Sequence, residues 1–194
     1  GHDSRPEAHH DHYLVPADFD EDGRELLLRV QRTRRLVAEA ADILGDAFDS
    51  EQADLLLGDQ EWRIARVLRK QRVLAEDLDE RVRDAVSETV RESMRPRFEA
   101  LRAAREAVER RVAAVVDYGD KVRLATVRQR EWEQIEEARG HDDAYGDLLV
   151  DATADLPGSD RLRAATDLEA IREVRDAGIR EALEAGRWLA EAAG

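Results

Sequence analysis

The residues whose type and spacing come nearest to a reaction centre are four carboxylates, Glu133, Glu136, Asp147 and Asp151. Acids three or four residues apart share one face of a helix, and hard oxygen ligands of that kind suit Mg²⁺. A metal held there would polarise a phosphoryl oxygen and activate a water. A second group sits near the N-terminus, where His9, His10 and His12 lie beside Glu7 and Asp11. Imidazoles this close are candidate ligands for Zn or Ni, although their polar surroundings read first as a solvated tail. Nucleophilic catalysis finds no support. The chain has no cysteine, and Ser4, Ser50, Ser87, Ser93 and Ser159 all lie outside a Gly-x-Ser-x-Gly turn. Its glycines are scattered singly, so no phosphate-cradling loop can be drawn.

Over roughly twenty residues the acidic stretch resembles the all-α nucleotide pyrophosphohydrolases of the MazG type. Glu133-x-x-Glu136 matches the first of that family's two acidic elements. The resemblance implies a Mg²⁺ site around a diphosphate, completed by Asp147 and Asp151 on a second helix. The chain departs from the pattern at position 144, where the second element needs an acid and Ala144 stands. No Lys or Arg cluster follows to hold a triphosphate.

Composition bounds the alternatives. The net charge is −14, from 45 acidic and 31 basic residues, which repels phosphates and argues against sequence-independent nucleic-acid binding. Lys70 and Lys121 are the only lysines, so the basic side is almost wholly arginine. No apolar run approaches the length of a transmembrane helix. The chain opens on Gly1-His2 rather than Met. It reads as processed or trimmed, which leaves the compartment open, with the cytoplasm as the default.

The elements that must position these groups are helices. Alanine and leucine are abundant while glycine and proline are sparse, which selects an all-α fold and excludes sandwiches, barrels and wound sheets. Residues 1–21 read as an irregular His-rich arm with Tyr13, Leu14, Val15 and Phe19 able to dock on the body. Residues 22–194 form one helical domain. A helix of roughly 25 residues starts at Asp20 or Asp22, with Leu26, Val30, Val37, Ala40 and Leu44 on its apolar stripe. Asp49-Ser50 ends it, with Ser50 a plausible N-cap for the next.

From 51 to 139 helical periodicity runs without a strong turn cluster, which predicts a long helical segment with a kink at Pro96 and a hinge or reversal at Gly119. Met94, Leu101, Val108, Val115 and Val122 are seven apart, and Phe98 and Val112 fall between them. This spacing predicts a coiled-coil-like seam within an antiparallel helical bundle. A short helix over 144–156 and a C-terminal helix over 160–193 are expected to pack against it. Gly178, Ala182, Gly186 and Ala190 fall four apart, a small-residue stripe that admits close approach of another helix.

Charge comes in blocks: residues 61–72 carry a net +4, 76–92 a net −4 and 95–111 a net +3. Alternating blocks select between helix pairings. Trp62, beside Arg63, Arg66 and Arg69, combines the residue types that dominate protein interfaces. The favoured reading is a non-enzymatic helical scaffold or adaptor that binds proteins and self-associates through the 94–122 seam. The alternatives are the metal-dependent pyrophosphohydrolase, and a regulator touching nucleic acid through Arg63–Arg72 or Arg95–Arg111.

Overall fold

The computed structural model describes residues 20–152 and 160–192, and among these the regular structure is helical throughout. The His-rich arm and the expected turn through Leu156, Pro157, Gly158 and Ser159 lie outside the described residues.

Helix α1 spans Glu21–Leu44. Its first turn leaves backbone N–H groups without intrahelical partners. The Asp20 carboxylate accepts from one of them, on Gly23, and Glu21 and Asp22 add favourable charge at that end of the helix dipole. The helix stops at Gly45, whose φ of 61° needs a residue without Cβ and lets its N–H donate to Ala41. A short 3₁₀ turn, Gly45–Ala47, then leads to α2, Ser50–Arg83. The cap of α2 is Asp49, which accepts from Gln52, and Ser50 is the first helical residue.

Two antiparallel hairpins follow from polar register locks. Arg34 bridges Glu61 at 2.6 Å and Asp54 at 3.1 Å, and the amide of Gln31 donates to Glu61 at 3.0 Å. These bonds align α1 with α2. The hydrogen bond that Arg34 donates to Glu61 is the main cause that raises the pKa of Arg34 above its ordinary value.

The second reversal corrects one sequence expectation. The long segment does not run unbroken from 51 to 139. Helix α2 ends at Arg83, a short helix α3 (Glu88–Glu92) is capped by Ser87, and α4 runs over Arg95–Arg139. Pro96 sits in the first turn of α4, where its missing N–H costs nothing, and because Ser93 and Met94 join α3 to α4 with right-handed helical backbone, it marks the bend of a longer helical run, as a kink at Pro96 predicts. The amide of Gln71 donates to the Leu101 carbonyl at 3.1 Å, which places α4 antiparallel to α2.

Gly119 is not a hinge. It lies inside the 45-residue α4, buried where α4 crosses α1, and a Cβ built there would come within 2.6 Å of Thr33 Cγ2. The glycine is a point of close helix approach. With Arg105 holding Asp20 at 2.6 Å, this contact shows that α1 runs parallel to α4.

Helix α5 (Asp142–Ala152) follows α4, and α6 (Asp160–Ala192) returns antiparallel along it. Gly178 meets α4 at Ala125 and Arg128, and Gly186 meets it at Tyr118. Further along, Arg175 and Arg172 lie 4.7 and 6.0 Å from the centre of the Trp132 ring, a cation–π arrangement across the two helices. The centre of α4 is thus a spine enclosed by α1, α2 and α6. Val112, Val115, Val122 and Ala125 are completely buried there, with Leu57, Ile64 and Leu68 from α2 and Ala182 and Leu189 from α6. Helix α5 buries none of its residues.

Candidate interaction surface

The seven-residue seam lies mostly inside the molecule. Val108, Val112, Val115 and Val122 belong to the core and are covered by helices of their own chain. Met94 is buried and Leu101 half-buried, while Phe98 alone of the seam is exposed. An interface between chains through 94–122 would require surface that the fold has already used. Part of the small-residue stripe is used in the same way: Gly178 and Ala182 are buried and Gly186 faces Tyr118, leaving Ala190 exposed. Burial pushes the Tyr118 phenol up to about 12.

The candidate metal residues separate as well. Glu133, Glu136, Asp147 and Asp151 are all exposed. Glu133 accepts from the Gln129 amide at 3.1 Å, an intrahelical contact. Among the described residues no three His, Asp or Glu side chains stand close enough to hold a metal ion. The histidines His9, His10 and His12 lie outside the described residues. A shallow cleft of about 180 Å³ between α4 and α6, lined by Arg128, Glu131, Ile171 and Arg175, is small beside the several hundred Å³ of a typical small-molecule site.

Two exposed helix faces combine apolar side chains with a net charge of one sign. The first is the outer face of α2. Ile64, Leu68 and Leu57 point inward, which turns Leu55, Trp62 and Val73 outward at seven- and eleven-residue steps. Leu55 is 69% and Val73 58% exposed, and Trp62 is half-buried. Arg66 stacks over Trp62 at 5.3 Å from the ring centre, and Arg63 pairs with Asp59 at 3.0 Å. Arg69 and Lys70 complete an exposed basic stretch. The grouping of Trp62, Arg63, Arg66 and Arg69 expected from sequence is therefore present, and Leu55 and Val73 extend it. Their spacing to Trp62 on a helix already phased by Leu57, Ile64 and Leu68 is the signal that could have found them.

The second face is α5. Tyr145, Leu148, Leu149 and Val150 are 57–69% exposed on a helix that buries nothing. Tyr145, Leu148, Leu149 and Ala152 fall at i, i+3, i+4 and i+7, a single stripe. Every ionisable side chain of α5 is an aspartate except Tyr145, with Asp142, Asp143, Asp147 and Asp151 around that stripe. Residues 131–151 together carry a net −7, half the charge of the whole chain.

No protein-family model matches the chain, and no curated protein or solved structure shows significant similarity to it. Among the described residues no helix is long and apolar enough to cross a membrane.

Proposed function

We propose that the protein is a non-enzymatic helical scaffold or adaptor, acting through protein–protein contacts that include self-association. The observation that carries this reading is α5, an 11-residue helix with an exposed apolar stripe and no buried residue. An isolated helix of that length is marginal in water, because nucleation costs more than so few hydrogen bonds return. Most helical stability comes from burying an apolar face, and in α5 that face is offered to another molecule.

The bundle supports the same reading from the other side. Its central core is built from helices of one chain, and α4, about 67 Å long, can carry surfaces at separate places. Partners would meet exposed aromatic, aliphatic and arginine side chains, the types enriched at interface centres.

The test is size-exclusion chromatography with light scattering, together with sedimentation velocity, from low to several hundred micromolar protein. Mass rising above the 22.0 kDa chain with concentration is the expected result. A monomer over the whole range removes self-association from the function.

A further inference from the structure

Two faces described above are complementary, and their positions decide how they can meet. The outer face of α2 presents Trp62 and Val73 among Arg66, Arg69 and Lys70, within a stretch of net +4. Helix α5 presents Tyr145, Leu148 and Leu149 among four aspartates and no basic residue. From Trp62 to Val73 is eleven residues along α2, and α5 is itself 11 residues long. At 1.5 Å per residue the seat extends about 16 Å, and the stripe from Tyr145 to Ala152 about 10 Å. The stripe fits within the seat, and positive rim meets negative rim.

The contact cannot form within one chain. Gln71 lies opposite Leu101, so Trp62 lies at the level of about residue 110 on α4. From there to the end of α4 at Arg139 is roughly 43 Å of helix. Helix α5 starts three residues later, at Asp142, and its own length of about 16 Å falls well short of that gap.

We infer that α5 of one copy docks on the outer face of α2 of a second copy. The inference rests on the scaffold reading and specifies its self-association. Each chain then carries one acidic knob and one basic seat at different places. Such a contact is heterologous: the second copy's α5 is left to engage a third, and growth continues head to tail unless the rotation closes a ring. One short helix buries less than the ~1,200 Å² of a stable complex, so each joint is weak and reversible. Opposite charges on exposed rims make it weaker as salt rises.

The experiment uses two variants of the full chain, each disabled at one face only. Arg66→Glu/Arg69→Glu reverses the seat, and Tyr145→Asp/Leu148→Asp disables the knob. All four positions are exposed, so circular dichroism of each variant should match the unmodified chain. Wild type should grow with concentration and shrink between low and high salt. Each variant alone should associate at least tenfold more weakly. An equimolar mixture of the two should recover a 1:1 complex that stops at twice the chain mass, since one intact knob and one intact seat are present in the mixture. A mixture that stays monomeric while both variants are folded overturns the inference. So does a wild-type oligomer that both variants leave unchanged, although that result keeps the scaffold reading. A wild-type monomer at every concentration ends both.

Discussion

Replacing Gly119 by alanine separates close packing from hinging at the middle of α4. Built on the present backbone, the new Cβ would stand 2.6 Å from Thr33 Cγ2. Carbon atoms at rest are about 3.5–4.0 Å apart, so α1 and α4 must separate by about an ångström, or Thr33 must leave its rotamer. Thr33 is anchored, because its hydroxyl donates to the Arg29 carbonyl at 3.0 Å, and the surrounding side chains are buried. Overpacking of this kind costs about 1–3 kcal/mol. Against it stands the higher helix propensity of alanine over glycine, about 1 kcal/mol. The expected net effect is a loss of up to about 2 kcal/mol, or up to roughly 8 °C in Tm for a chain of this size.

Thr33→Ser supplies the rescue. It removes the methyl that the Cβ meets while keeping a hydroxyl able to reach Arg29. Urea denaturation of both single variants and the double variant closes a double-mutant cycle, and the double variant should regain about 1 kcal/mol or more over additivity. Gly119→Ala that is more stable than wild type, with no coupling to Thr33, would refute the close-approach account and restore a hinge.

Three further outcomes follow from particular residues. Gln60 is fully buried and neither its amide nitrogen nor its oxygen has a hydrogen-bond partner, so Gln60→Met, close in volume, should stabilise the bundle by about 1–3 kcal/mol in chemical denaturation; a loss of stability would show that the amide is satisfied. Tyr118 has a phenol pKa of about 12 in the folded chain against 10.0 in the unfolded one, so its contribution is intact below pH 10 and is lost as pH rises towards 12, by about 2–3 kcal/mol in all; Tyr118→Phe should flatten that part of the stability profile, and an unchanged profile would contradict its burial. Pro96→Ala should leave stability unchanged or lower it by up to about 1 kcal/mol, since the proline stiffens the unfolded chain and breaks no bond in a first turn; a gain of several kcal/mol would mean a mid-helix position.

Much of the fold was legible because the core residues are spaced as the helices require. Asp20 could be read as a cap and Leu26–Val30–Val37–Leu44 as a buried stripe, and both hold. Val108, Val112, Val115 and Val122 were found by their seven-residue spacing, but spacing alone does not tell whether the covering helix comes from the same chain. The reversal after Arg83 was hidden for a chemical reason. Asp84, Ala85 and Val86 contain neither glycine nor proline, and the turn is made by Ser87 capping α3. Pro96 and Gly119 drew the break to themselves, yet the reversal precedes both: Pro96 marks the bend between α3 and α4, and Gly119 a helix crossing. Trp62 and its arginines were legible as an interface candidate by residue type. The short helix over 144–156 was expected to pack against the bundle, whereas Leu148 and Leu149 are exposed. Their exposure depends on where α4 ends relative to α1 and α2, which no local pattern encodes.

Because α4 is longer than any helix packed on it, it passes through different surroundings along its length. Near Leu101 it is braced by α2, between Val108 and Ala125 by three helices, and near Trp132 by α6. Opening free energy follows the amount of apolar surface a segment buries, so one continuous helix need not behave as one cooperative unit. Amide protons in its middle exchange only when the whole domain opens, whereas those at its two ends exchange through local fraying. The same rod that holds the molecule together therefore divides it into a slow centre and two fast extremities, and an event that loosens one end can leave the other undisturbed.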